Sequence, residues 1–136
     1  MKNILAVLVA LITVFGATAA FAADITVKVN DEVVTFDREP YMEGGNVMIP
    51  YRFVAEKLGA TVAWDGDTKT VFTALGDIST TLQIGNANIF TADGVVNAQV
   101  APALVIDRTF VTGDVIAKAF GVDVSFDEAT STVTVK

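Results

Sequence analysis

The chain is self-similar at a spacing of 62 residues, and this limits the folds open to it more than any other feature. Pro40 and Pro102 stand 62 residues apart (102 − 40). The same offset places Gly59 on Gly121, Trp64 on Phe126, Asp65 on Asp127, Thr68 on Thr130 and Val71 on Val133. Matches in one ungapped register at turn and core positions indicate a duplicated structural unit. The repeats are expected over about residues 25–73 and 87–135.

The N-terminus predicts an address. Met1-Lys2-Asn3 leads into an apolar run from Ile4 to Phe15, and small residues follow up to Ala20-Phe21-Ala22. This is the layout of a secretory signal peptide over residues 1–22, cleaved after Ala22. The apolar core is short for a membrane span of ~20 residues, and no basic stop-transfer cluster follows. The expected mature chain is one domain over 23–136, 114 residues long (136 − 22). It is expected to be secreted and extracellular, either retained at the cell surface or released, with no membrane contact after cleavage. With no Cys in the sequence, neither disulfides nor a lipidated Cys are available, so stability must come from packing.

The formal charge is −7, and loss of Lys2 with the signal makes it about −8 (−7 − 1). Such a surface disfavours nucleic acid and anionic membranes, both of which attract basic patches.

Along the mature chain, Ile25, Val27 and Val29 alternate with polar residues, as a strand with one buried face does. Asn30-Asp31 turns it, and Val33 to Phe36 is expected to return as the second strand of a hairpin. Val47-Met48-Ile49 predicts a strand, and Pro50 to Leu58 a short helix that buries Phe53, Val54 and Leu58 and stops at Gly59. Val62 and Trp64 alternate before the turn Asp65-Gly66-Asp67-Thr68 and a strand from Lys69 to Thr73. Ile78 to Ile84 is an additional strand between the copies. The second copy repeats the plan, with strands at 89–91, 95–96 and 109–111, and a helix capped by Thr112 and ended by Gly121. A closing hairpin spans Val122 to Val135. The expected fold class is α+β: mostly antiparallel sheet with two short helices, built from two tandem similar halves.

The stretch Ile49-Pro50-Tyr51-Arg52-Phe53-Val54-Ala55-Glu56-Lys57-Leu58-Gly59-Ala60, with Val62-Ala63-Trp64-Asp65 and Thr68-Lys69-Thr70-Val71, carries a resemblance. It resembles the copper amine oxidase N-terminal domain-like, or stalk domain, family of secreted Gram-positive proteins. The likeness covers about residues 25–135. The second copy departs from the pattern, with Thr112-Gly113-Asp114 where Pro-Leu-Arg is usual and Phe126 for Trp. The resemblance implies a non-catalytic accessory module, without copper or amine oxidation.

The residues themselves offer little chemistry. There is no His and no Cys, so zinc and copper sites lack their ordinary ligands and the common nucleophile–base pairs are missing. Asp65, Asp67 and Asp77 form the best candidate for a hard cation, but they lack the spaced acids and terminal Glu of a calcium loop. A turn that uses Asp and Gly for backbone reasons explains them as well. No catalytic, cofactor-binding or metal residue is assigned, and no cofactor is expected.

Arg52 and Glu56 stand at i and i+4, and their counterparts Asp114 and Lys118 exchange the signs. A pair that tolerates reversal acts as a pair, worth about 0.2–0.5 kcal/mol on an exposed helix. Trp64 is either core packing or a sugar-stacking platform. Tyr41, Tyr51 and Phe90 face Ala103, Gly113 and Lys28 across the offset. With Trp64 they make up the candidate ligand surface.

The expected function is a secreted non-catalytic cell-envelope module that binds wall polymer or a surface protein, or acts as a spacer. One alternative is a self-assembling surface or filament subunit that pairs through exposed strand edges such as Ile25 to Val29 and Thr132 to Val135. The other is a small glycan hydrolase, for which no specific carboxylate pair is evident.

Overall fold

The computed structural model describes residues 24–136. The leader expected over 1–22 lies outside the described residues. No helix among the described residues is long and apolar enough to cross a membrane.

The chain opens with β1 (Thr26–Val29) and β2 (Glu32–Val33), followed by β3 (Tyr41–Glu43), β4 (Asn46–Pro50) and helix α1 (Tyr51–Lys57). A meander follows: β5 (Thr61–Asp65), β6 (Thr70–Leu75), β7 (Ile78–Gln83), β8 (Asn88–Thr91) and β9 (Gly94–Asn97). Then come β10 (Ala103–Val105), β11 (Arg108–Thr112), helix α2 (Gly113–Phe120), β12 (Val124–Asp127) and β13 (Thr132–Val135).

These strands form three sheets with the orders β9-β8-β7-β6-β5, β10-β11-β4-β3 and β12-β13-β1-β2. The α+β class holds. All pairings are antiparallel except β13 with β1, which run parallel with Val133 opposite Val27. Shifted by 62, the bounds of β1 fall on β8, β3 on β10 and β4 on β11. The β5–β6 hairpin overlaps β12–β13 in the same way. The five-stranded sheet therefore holds β8–β9 beside β5–β6 with β7 between them, and the third sheet holds β1–β2 beside β12–β13.

Several expectations shift. The return strand predicted over Val33 to Phe36 is only Glu32–Val33, because beyond Val34 the chain leaves the sheet and Phe36 packs edge-on against Phe53 (ring centroids 5.7 Å apart). Strands β3 and β10, unmarked by apolar alternation, form by pairing with β4 and β11. Pro50 precedes α1 as its cap, and the buried face of the helix is Tyr51, Val54 and Ala55. Phe53 is only half-buried. Thr112 caps α2 in position, but its hydroxyl meets Asp114 instead of a backbone N–H. The end strands β1 and β13 are both interior, each paired on both sides. Their expected role as open edges is corrected: the free edges of that sheet are β12 and β2.

One core joins the elements. Ile25, Val27 and Val29 meet Val133 and Val135 from the third sheet, Ile49 and Val111 from the central one, and Val71, Leu82 and Ile89 from the meander. Helix α2 turns Val115, Ile116, Ala119 and Phe120 into it. The alternating strands pack here because their apolar residues all fall on one face.

A candidate ligand cleft beside Trp64

A cleft of about 570 Å³ opens between α1, the inner face of β5 and the β10–β11 turn. Its apolar lining includes Val62, Trp64, Val71 and Leu104, and its rim carries Arg52, Glu56, Asp107 and Arg108. Trp64 stands opposite Val71 in the β5–β6 pairing. Val71 is buried, whereas Trp64 at the sheet edge stays 43% exposed. The indole thus presents a large apolar face to the cleft, with an N–H able to donate.

Three of the rim charges, Arg52, Glu56 and Arg108, stand in ion pairs. Arg52 Nε donates to Glu56 Oε2 at 3.1 Å within α1. The reversed pair on α2, Lys118 with Asp114, stands at 4.0 Å. Arg108 grips Asp37 through Nε at 3.1 Å to both carboxylate oxygens and through Nη2 at 2.5 Å. That donation holds the Asp37 carboxyl below its usual range against a smaller opposing effect of desolvation, and it raises Arg108 in turn. On the far end of α1, Lys57 reaches Glu32 at 2.7 Å, and its hydrogen bond lowers the Glu32 carboxyl. Apart from the half-buried Asp114, these side chains are largely solvent-exposed, so each pair contributes little to stability.

The floor is rigid. Tyr51 is fully buried, with its ring stacked on Phe120 at 5.8 Å and its hydroxyl 2.8 Å from Thr73 Oγ1. Burial pushes the phenol up to about 12, partly opposed by the Thr73 contact. Thr80 donates to the Ala119 carbonyl at 3.0 Å and ties α2 to the same sheet.

Of the four expected ligand-surface residues, Tyr51 and Trp64 come together in the cleft, and Tyr41 and Phe90 lie elsewhere. Tyr51, the first residue of α1, lines the cleft floor but is buried, so it is core there and not an exposed ring. Tyr41 is half-buried against Phe110, with ring centroids 5.0 Å apart. Burial, with Glu43 adding a smaller effect, raises its phenol pKa. Trp64 lines the cleft. Phe90 is 45% exposed on the opposite face of the five-stranded sheet. Arg108 and Leu104 were missed, because only the β10–β11 pairing carries them to the cleft.

The acids singled out for a cation have another use. Asp65 Oδ1 accepts the Asp67 backbone N–H at 3.0 Å, and Asp127 does the same for Ala129 at 3.0 Å. The first acid of each turn is therefore a turn former, and in the second turn Ala129 takes the place of Asp67. Among the described residues, no three acids group closely enough to hold a metal ion.

A second, shallower cleft of about 320 Å³ is lined by Asn46, Asp114, Val124, Phe126 and Val133, among others. Shifted by 62, Arg52, Val62, Trp64 and Val71 fall on Asp114, Val124, Phe126 and Val133. Arg108 corresponds to Asn46 (108 − 62). The two clefts thus share a wall plan but differ in charge and in the aromatic ring.

No curated protein matches the chain. The family model described as the copper amine oxidase N-terminal domain matches residues 28–135, nearly all of the described chain, and the protein belongs to that family of non-catalytic domains.

Proposed function

We propose that this protein is a secreted, non-catalytic module of the cell envelope that holds a wall polymer in the Trp64 cleft. The observation that carries the reading is a wide, half-apolar cleft with an exposed indole and with Arg52, Glu56 and Arg108 of its rim already in ion pairs. Such a surface suits stacking and hydrogen bonding to a polar polymer. The Arg108–Asp37 and Arg52–Glu56 pairs hold the rim groups in neutral couples. Secretion rests on the N-terminal pattern of residues 1–22. The 62-residue correspondence of strands and cleft walls supports two tandem halves that exchange hairpins between the outer sheets.

Trp64 is the single Trp in the chain, so its fluorescence reports on the cleft directly. The mature protein is mixed with insoluble cell-wall material, centrifuged and assayed in the pellet. Wild type is expected to pellet, and Trp64→Ala to remain at least tenfold more in the supernatant with an unchanged circular dichroism spectrum. Wild type left wholly in the supernatant, or equal pelleting of both, overturns the reading.

A further inference from the structure

The outward face of the five-stranded sheet carries an apolar row that the Trp64 cleft does not use. Register places Ala63, Phe72, Thr81, Phe90 and Val95 directly opposite one another across all five strands. Phe72 is 46% exposed, Phe90 45% and Val95 58%. Their strand neighbours Val71, Thr80 and Ile89 point into the core, so the row lies wholly on the solvent side.

This row is no by-product of core packing. A half-buried sheet ordinarily puts polar residues outward, and the largest exposed apolar patch of a monomer, roughly 300–600 Å², is often functional. Phe72 also faces Thr134 across the 62-residue offset and Phe90 faces Lys28. Both rings thus occur on only one of the two corresponding sheets.

We infer that this face is a flat platform for a neutral, extended β-1,4-linked glycan. Three observations select that occupant. First, the two phenyl rings stand on strands separated only by β7, two strand spacings or about 9.6 Å apart. That is close to the disaccharide repeat of an extended β-1,4-linked chain, so alternate sugar rings can stack on both phenyls. Second, the row itself holds no charged residue, and the face carries one carboxylate, Asp65 at its corner, although the chain carries a net −7. Asn88 and Asn97 face each other beside the row, and Asn97 Nδ2 donates to Asn88 Oδ1. Such amides have further donors and acceptors to offer sugar hydroxyls. Asp65, at the corner, is occupied by its own turn. Third, the face is small. Five strands about five residues long cover on the order of 400 Å². Two such faces fall short of the roughly 1,200 Å² that a specific stable protein–protein interface buries. A polymer that engages many modules at once needs no such area from each.

The platform is independent of the Trp64 cleft, so the two can fail separately. The mature protein is incubated with insoluble chitin and with cellulose, and with granular starch as the α-linked control. Retention on chitin or cellulose but not on starch is expected. The double variant Phe72→Ala/Phe90→Ala should lose at least tenfold of it, and Val33→Ala, at an exposed position of the third sheet away from both surfaces, none. Thr81→Arg leaves both rings in place but puts a charge between them, and should weaken retention similarly if the double variant does not fold. Failure to bind chitin or cellulose overturns the inference, as does binding that these variants leave intact. So does a concentration-dependent dimer in sedimentation that Thr81→Arg abolishes, because the occupant would then be a second copy.

Discussion

Ile49 and Val111 face each other across the antiparallel β4–β11 pairing, and they are 62 residues apart in the sequence. Both are fully buried. The same offset exchanges the two flanking pairs: Phe110 faces Pro50, and their counterparts Met48 and Thr112 face each other. A position that pairs with its own counterpart in antiparallel register has the geometry of a local two-fold axis. Under the duplication proposed above, that axis runs through the central sheet and relates the two clefts on either side of it.

The same correspondence exposes a strained turn. Gly44 and Gly45 turn β3 into β4 with φ of +56° and +84°. Their counterparts Ile106 and Asp107 turn β10 into β11 with φ of +45° and +63°. A β-branched residue in the left-handed region is costly, by about 1–2 kcal/mol relative to a tolerant one. Ile106 is 64% exposed, so it recovers little by burial. Ile106→Asn should stabilise the protein by about 1 kcal/mol in urea unfolding. An unchanged or lower midpoint would show that the Ile106 side chain makes a contact worth more than the strain.

Alkaline stability should depend on Tyr51. Its phenol ionises near 10 when unfolded and at about 12 when folded. The neutral form is favoured by the fold, so the contribution is complete below pH 10 and is lost as pH rises through 12. Two units correspond to roughly 2–3 kcal/mol. Unfolding free energy measured from pH 9 to 12 should fall more steeply for wild type than for Tyr51→Phe. Parallel curves would refute the assignment.

On the acid side the sign reverses. Arg108 holds the Asp37 carboxyl low, so its contribution is present above the unfolded carboxylate pKa and fades as pH falls through the folded value. Arg108→Gln should move the Asp37 titration up toward the ordinary carboxylate range, as read by carboxyl NMR shifts. The difference should shrink in high salt, since both groups are exposed. A titration that does not move would show that the pair is not formed in solution.

Thr80→Val is expected to cost about 1–3 kcal/mol, because it leaves the Ala119 carbonyl at the end of α2 without its donor in a buried setting. Thr80→Ser should restore most of the loss. A neutral Val variant would mean that water replaces the hydroxyl.

The offset test that picked out Phe90 also applies to Phe72, which faces Thr134. Both rings of the outward row are therefore marked in the sequence by the same offset. Tyr51 gave the opposite result: its lack of a counterpart marked it as surface, yet it is buried and stacks on Phe120, whereas Val124 packs directly against Gly113. A mismatch between copies reports that a position differs, not whether it faces core or solvent.

The sequence by itself determined the 62-residue correspondence of positions, the sites of both helices, the turn acids and the inward parity of each long strand. These follow from contacts within a few residues, where periodicity and turn chemistry act. Only the tertiary structure decided that β13 runs parallel to β1, that the outer hairpins cross between sheets, and that Trp64 and Phe90 occupy opposite faces. Strand neighbours are chosen by burial of apolar faces between segments far apart in the chain. No local pattern names the partner, so the cleft and the aromatic row exist only once the sheets have assembled.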